Sequence, residues 1–248
     1  MKNLYKINDY HLHLGTSSSG ATHTVEDLIA YMDKFNIERC GLSTINNVLT
    51  KPLNDIIAKC VAKYPDRIIG YGVINPREEN AIYEVHRCLS ELGLKGIKMH
   101  SWKHGYYPDN LKSLDAVIDA IKPYNVPILT HTGGTPLSMP SQWALVAEKH
   151  PKQIFVFAHI GMFNGGYSCV EYAKKLDNIY VDTSGQYELP ILNKAIKELG
   201  SERILFGTDW PYKSAEAEMV KFNDLNLSEK DKEKIFRTNA LKVWNLNK

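Results

Sequence analysis

The sequence predicts an α/β protein, because eight short apolar runs alternate with helical patterns along the chain. Eight such units in 248 residues match the size and rhythm of a (β/α)8 TIM barrel. No Pro/Gly-rich linker divides the sequence, so residues 1–248 are expected to form one domain. A doubly wound open sheet is the main alternative, but its Gly-x-Gly-x-x-Gly turn is missing after the first strand.

Continuous apolar runs such as 154–158 are typical of strands that helices cover on both faces. The strands are predicted at residues 4–7, 40–45, 68–74, 95–100, 126–130, 153–158, 179–183 and 203–206. The Gly/Ser-rich residues 15–23 are expected to form a mobile loop before a helix capped at Thr24, with Asp27 in the capping-box position. Further helices are predicted at 52–63, 78–92, 111–122, 141–150, 166–176 and 189–199. An extra amphipathic helical tail at 227–246 is expected to close the bottom or flank of the barrel.

Composition argues against a nucleic-acid partner, a membrane span and secretion. The net charge is +2 and no basic run is present, so no nucleic-acid partner is expected. No apolar run approaches a membrane span, and the N-terminus lacks the apolar stretch of a signal peptide. Four cysteines lie far apart in the sequence, which favours reduced thiols and a cytoplasmic location.

Two histidines near the N-terminus provide the first functional signal. Side chains alternate faces along a strand, so His11 and His13 point the same way while Leu12 and Leu14 point the other. Later predicted strands also end in metal-competent or proton-transferring side chains, and the carboxyl ends of barrel strands share one face. The candidates gathered there are Lys98, His100, His131, His159 and Asp209.

Simpler interpretations exist for each of these residues. Taken singly, His131 and His159 would more often be hydrogen-bonded structural histidines, and Asp209 could begin the turn at Trp210. Their joint occurrence at strand ends favours a site, because burying several ionisable groups together requires a cation or hydrogen bonds to compensate them.

Six segments together resemble the amidohydrolase superfamily, most closely its amidohydrolase-related branch, which includes decarboxylases of the aminocarboxymuconate-semialdehyde type. The likeness covers nearly the whole chain in order. The segments are His11-Leu-His13, Gly96-Ile-Lys-Met-His100, Ile128-Leu-Thr-His131-Thr-Gly-Gly, Phe157-Ala-His159-Ile-Gly, Tyr180-Val-Asp-Thr-Ser184 and Ile204-Leu-Phe-Gly-Thr-Asp209-Trp-Pro.

The resemblance implies one divalent metal ion, zinc in the first instance and manganese as the alternative. Its ligands would be His11, His13, His131 and Asp209, with His159 as a catalytic residue beside them. Three imidazoles and a carboxylate suit such an ion. The ion would activate a water molecule, whose proton Asp209 or His159 would accept.

Lys98 lies where some members of the superfamily carry a carbamylated lysine that bridges two metals. We expect an unmodified Lys98 here, with a single metal. With Lys103 and the segment 132–134, it suggests a small carboxylated substrate. His100, Trp102 and Trp210 are further candidates for substrate contact, although packing is the simpler role for either tryptophan.

The leading functional expectation is a metal-dependent hydrolase of a small-molecule amide, lactone or ester. The alternative is a nonoxidative decarboxylase, a lyase that acts on a small aromatic or dienoic carboxylic acid. A deoxyribonuclease of the TatD type is a weaker alternative, since that family has a glutamate where this chain has Lys98. A barrel that binds a ligand without catalysis is the remaining one. The sequence leaves the oligomeric state open, and a homodimer would be usual for such an enzyme.

Overall fold

Nine strands form one curled sheet in the computed structural model, which describes residues 6–16, 20–44 and 49–246. Eight of the strands are parallel, and the short β2 pairs with β1 in the antiparallel sense. The spatial order is β2-β1-β3-β4-β5-β6-β7-β8-β9. The strands are β1 (Ile7–Thr16), β2 (Thr22–His23), β3 (Ile37–Thr44), β4 (Ile68–Val73), β5 (Gly96–Met99), β6 (Ile128–Thr130), β7 (Phe155–Phe157), β8 (Ile179–Asp182) and β9 (Ile204–Leu205).

The sheet closes into a barrel through the segment that follows β9. This segment runs beside β1 and pairs with backbone groups that would be unpaired at the edge of an open sheet. Three backbone hydrogen bonds join the two: Tyr10 N to Phe206 O (2.8 Å), Asp209 N to His11 O (2.8 Å) and His13 N to Trp210 O (2.7 Å). The predicted α/β TIM barrel is therefore confirmed.

Helices follow the strands in the predicted order. Thr24 caps α1 with Asp27 in a capping box, as expected. The predicted helix 78–92 starts later, at Ala81, and α3 continues into a π-helical turn at Arg87–Glu91. The helices are α1 (Val25–Lys34), α2 (Thr50–Lys63), α3 (Ala81–His86), α4 (Ser101–His104), α5 (Lys112–Ile121), α6 (Pro140–Lys149), α7 (Gly165–Lys175), α8 (Leu189–Leu199), α9 (Ala215–Val220), α10 (Glu229–Glu233) and α11 (Asn239–Val243).

The first strand corrects the sequence analysis. His11 and His13 lie inside β1 and not at its end, because β1 continues past the barrel rim and forms a hairpin with β2. The predicted loop 15–23 is thus partly strand, and residues 17–19 lie outside the described part of the chain. Residues 4, 5 and 45 of the predicted strands also lie outside it.

The barrel interior is filled by a second apolar cluster, separate from the layer between strands and helices. The C-terminal tail contributes Trp244, whose ring stacks on Tyr10 at 5.4 Å between centroids. Its indole Nε1 donates to the hydroxyl of Tyr71 at 2.6 Å. The tail therefore closes the barrel, as predicted for the extra C-terminal helix. Within the described residues, no helix has both the length and the apolar character needed to cross a bilayer.

A buried carboxyl group ties β1 to the segment after β9. Asp9 is fully buried and accepts hydrogen bonds from Thr208 Oγ1 (2.6 Å), Thr208 N (3.0 Å) and His11 N (3.2 Å). Tyr31 OH donates to Thr208 Oγ1 at 3.0 Å. Burial raises the pKa of Asp9 to about 8. Thr208 thus supplies two of the three donors to the carboxyl group.

Replacing Thr208 by Val should lower the free energy of unfolding by about 1–3 kcal/mol, because Asp9 Oδ2 loses its hydroxyl donor inside the protein. Urea unfolding measures this loss. Thr44→Val is the matched control, since Thr44 Oγ1 is buried without a hydrogen-bond partner among the described residues. An equal loss in both variants would contradict the role of Thr208.

Candidate active site

Seven ionisable side chains converge at the carboxyl ends of the parallel strands, an opening of the barrel called the mouth below. All of them are buried, with at most 9% of the residue surface exposed. Five of the seven are imidazoles. They are His11 and His13 of β1, Lys98 and His100 at β5, His131 after β6, His159 after β7 and Asp209 after β9. The structure therefore brings together the ionisable candidates of the sequence analysis.

Three donor atoms form the tightest group at the mouth, called the donor trio: His11 Nε2, His13 Nε2 and Asp209 Oδ1. The two histidine nitrogens are 2.9 Å apart, and Asp209 Oδ1 lies 3.2 Å from His13 Nε2 and 3.8 Å from His11 Nε2. Two ligand atoms that each lie about 2.1 Å from one ion are about 3.0–3.4 Å apart. His13 Nε2 therefore has the spacing to both other atoms that ligands of a single ion have, and the His11–Asp209 separation is a few tenths of an ångström wider.

Two more imidazoles border the donor trio. His159 also offers a ligand atom, and the donor atoms of His11, His159 and Asp209 lie within 4.8 Å of one another. The ring of His131 stacks on His100 at 4.1 Å and lies 5.0 Å from that of His159. Its buried Nε2 has no hydrogen-bond partner among the described residues. Buried polar atoms in folded proteins normally have a partner, and a bound ion or substrate would be the partner of this nitrogen.

Hydrogen bonds at Nδ1 orient three of the imidazoles. His11 Nδ1 donates to Asp182 Oδ2 at 2.8 Å, and His159 Nδ1 donates to the Ser184 carbonyl oxygen at 2.9 Å. Ser43 Oγ lies 3.0 Å from His13 Nδ1. A partner at Nδ1 directs the lone pair of Nε2 toward the mouth, as metal-ligating and catalytic histidines require.

Sequence reasoning missed these orienting residues. The segment around Asp182 carries part of the resemblance, but its role became visible only through the contact with His11, 171 positions away. Ser184 N donates to Asp182 Oδ1 at 2.8 Å. Ser184 Oγ lies 3.0 Å from His159 Nδ1 and 3.2 Å from His11 Nδ1. One serine therefore contacts all three of these side chains.

Burial sets the protonation states of the site. It lowers the pKa of all five imidazoles, so they are neutral at pH 7 and have lone pairs for a metal ion. Burial also raises the pKa of Asp209 to about 6. A cation at the donor trio would favour the ionised carboxylate of Asp209.

Lys98 is fully buried, and its ammonium group lies next to the donor trio. Its Nζ lies 2.9 Å from His11 Nε2, and burial lowers its pKa to about 8. Ile97 and Met99 pack in the outer core, as the alternation along the strand predicts. The ammonium group of Lys98 is therefore positioned to meet an anion at the mouth.

The two candidate tryptophans differ in position. Trp102 is 48% exposed, and its ring lies 5.7 Å from that of His131. Trp210 instead packs against Tyr31 at 5.0 Å and His23 at 4.8 Å, so its ring fills space between α1 and the β1–β2 hairpin. Tyr212, which sequence reasoning did not single out, lies 5.8 Å from the ring of His13.

His159 begins a run of five residues with positive φ. The φ angles are 62° at His159, 43° at Ile160, 73° at Gly161, 50° at Met162 and 43° at Phe163. A left-handed conformation costs about 1–2 kcal/mol per non-glycine residue. The turn contacts the loop after β6 so closely that a Cβ on Gly133 would lie 1.9 Å from Gly161 O. Surrounding contacts thus hold the turn in this conformation.

A family model described as amidohydrolase matches residues 45–246. The chain belongs to the amidohydrolase family. Gamma-resorcylate decarboxylase of a Polaromonas species is 24% identical over 91% of this chain and 85% of its own length. The 2-amino-3-carboxymuconate-6-semialdehyde decarboxylase of Dictyostelium discoideum is 24% identical over 80% of this chain and 67% of its own length. The resemblance to the amidohydrolase-related branch is confirmed.

Solved structures have the same fold as this member of the amidohydrolase family. A dihydroxybenzoic acid decarboxylase from Polaromonas, solved with manganese and 2-nitroresorcinol, has a TM-score of 0.79 at 21% identity, covering 99% of this chain and 98% of its own. A 5-carboxyvanillate decarboxylase from Novosphingobium aromaticivorans, solved with manganese, has a TM-score of 0.80 at 20% identity, covering 98% and 97%. The two curated relatives, both decarboxylases, favour the decarboxylase alternative over the hydrolase that the sequence analysis placed first.

Replacing Phe163 by Asn should raise the free energy of unfolding by about 0.5–1 kcal/mol, because Asn tolerates the left-handed conformation better than Phe. Phe163 is 67% exposed, so little packing is lost. The control is Tyr167→Asn, at an exposed position inside α7 where no such strain exists. Thermal and urea unfolding compare the two, and a gain of equal size at Tyr167 would refute the explanation by strain.

Proposed function

We propose that this protein is a metal-dependent nonoxidative decarboxylase of a small aromatic carboxylic acid. The observation that carries the proposal is the buried imidazole of His159 beside the donor trio, in a chain whose curated relatives include decarboxylases. Decarboxylation of an aromatic acid needs a proton delivered to the ring carbon that loses carbon dioxide. It also needs the leaving carboxylate to be held in place.

A divalent ion would be held by His11, His13, His131 and Asp209. The spacing of the donor trio and the unpartnered Nε2 of His131 support this ligand set. Nitrogen-rich donors suit zinc, and manganese is compatible with the same set. Manganese is the first choice for experiments because two neighbouring structures contain it. The ion would supply a positive charge that orients the substrate and stabilises negative charge as it develops.

His159 is the proposed proton donor. Its Nδ1 hydrogen bond to the Ser184 carbonyl leaves Nε2 as the atom that faces the substrate. Burial lowers the pKa of His159, so Nε2 is unprotonated in the neutral ring, and the protonated ring is a strong acid that readily gives its Nε2 proton to an acceptor. The proton enters at the ring carbon, and the bond to the carboxylate breaks. Carbon dioxide leaves, and no water is consumed.

Two further residues would hold the substrate. The Lys98 ammonium group, buried beside His11 Nε2, pairs with the carboxylate that is lost. Trp102, half-exposed at the rim beside His131, offers an aromatic wall for the substrate ring. The positive charge of Lys98 and the aromatic ring of Trp102 together favour a flat anionic ligand.

The proposed reaction can be tested with a panel of hydroxybenzoic acids, lactones and amides. The protein is stripped with a chelator and reloaded with manganese or zinc. We expect metal-dependent release of carbon dioxide from aromatic acids, measured together with the decarboxylated product. His159→Asn should lower kcat by about 10²–10⁴-fold, because the proton donor is lost. Hydrolysis of lactones or amides without carbon dioxide release would instead favour the hydrolase.

A second prediction concerns metal affinity. Asp182→Asn should weaken manganese binding by about 10–100-fold, because the carboxylate that orients His11 is lost. Equilibrium dialysis and calorimetry measure the affinity, and circular dichroism checks the fold. Asp177→Asn is the control, since the Asp177 side chain is fully exposed and remote from the imidazoles. Unchanged affinity in Asp182→Asn would rule out this orienting role.

A further inference from the structure

Lys213 and the proposed proton donor His159 both lie against Gly185, although nothing in the sequence pattern singled out the lysine. It follows Asp209 in the segment after β9, and its side chain crosses the backbone of Gly185. A Cβ at Gly185 would lie 3.0 Å from Lys213 Cε, 3.8 Å from Lys213 Nζ and 3.7 Å from His159 Nδ1. The φ of Gly185 is 67°, a further reason for glycine here. This glycine therefore lets the lysine approach His159.

The ammonium group of Lys213 has no ion-pair or hydrogen-bond partner among the described residues. The nearby carboxylate of Glu218 is already used. It pairs with Lys221 at 2.5 Å, and its other oxygen accepts from Gly185 N at 3.0 Å and from Tyr187 OH at 2.5 Å. Lys213 is therefore a half-buried cation near the candidate proton donor His159. A cation in this position can bind an anionic group of a ligand.

The barrel geometry places Lys213 across the mouth from Lys98. Counting the eight parallel strands in spatial order, β5 is the fourth and β9 is the eighth. Lys98 lies on β5 and Lys213 follows β9, so the two side chains start from opposite sides of the barrel, and that of Lys98 reaches across to His11 Nε2. Lys213 is also one of the cations that lower the pKa of Asp209, in keeping with its position near the mouth.

We propose that Lys213 binds a second carboxylate of the substrate, so that the substrate class is an aromatic dicarboxylic acid of which one carboxylate is lost. This inference rests on the proposed function. Lys98 and Lys213 would each pair with one carboxylate of such a dianion. In the reaction, the bond from one carboxylate carbon to the ring breaks and its electron pair stays on the ring carbon. That carbon takes the proton, giving carbon dioxide and a monocarboxylate.

Binding of unreactive analogues tests this inference separately from turnover. A nitro group replaces the carboxylate that is lost, and the pair compared is 4-hydroxy-3-nitrobenzoate and 2-nitrophenol, which lacks the second carboxylate. For the manganese-loaded protein, we expect calorimetry to give a Kd for the nitrobenzoate at least about tenfold below that for the nitrophenol. The Lys213→Met variant should reduce this ratio to about twofold or less, and Lys213→Arg should retain most of it.

Turnover gives a second readout. For 4-hydroxyisophthalate, Lys213→Met should raise KM by about tenfold while kcat changes much less, because the lysine binds a part of the substrate that does not react. Lys197→Met is the control, since Lys197 is exposed on α8. It should behave as the wild type in both experiments.

The outcomes separate the two proposals. A wild-type Kd ratio near one, or a ratio that survives in Lys213→Met, overturns the role of Lys213. Release of carbon dioxide from monocarboxylic acids alone overturns the dicarboxylate class but leaves the proposed function in place. If no aromatic acid is decarboxylated while the Kd ratio depends on Lys213, the proposed reaction fails and the anion site stands.

Discussion

The hydrogen bond between His11 Nδ1 and Asp182 is the interaction on which the candidate site depends. Both groups are fully buried, and neither would be stable there without the other or an equivalent partner. The bond directs His11 Nε2 toward His13, Asp209 and Lys98. Through Ser184, the same carboxylate is linked to His159. A single buried aspartate thus positions both the proposed metal ligand and the proposed proton donor.

The contacts that close the barrel also bring the residues of the candidate site together. The hydrogen bonds that join β1 to the segment after β9 involve the backbones of His11, His13 and Asp209 themselves. Asp9 strengthens the same seam from inside the protein by accepting from Thr208 and from His11 N. The spacing of the donor trio is therefore set by the ring of strands and not by flexible loops, which suits a site that must hold several charges close together.

The sequence was informative wherever a short-range rule applies. Alternation along a strand correctly paired His11 with His13, and apolar runs located the barrel strands that follow the first one. It could not show that β1 extends into a hairpin, because the pairing with β2 crosses a Gly/Ser-rich stretch with weak patterning. It could not show the contact of Asp182 with His11 either, since closure of the barrel brings together residues far apart in the chain. The choice between hydrolase and decarboxylase lay beyond any spacing rule, because both reactions use the same kinds of side chain.

The proposed decarboxylation gives the strained turn at His159 a chemical role. A hydroxyl or amine substrate can hydrogen-bond to a proton donor before it reacts, and that bond helps to align the two. A ring carbon has no lone pair and offers no such help, so the protein alone must position the donor. The left-handed turn, its contact with Gly133 and the bond from Nδ1 to Ser184 fix His159 without help from the substrate. A rigid donor of this kind suits protonation of carbon better than a mobile one would.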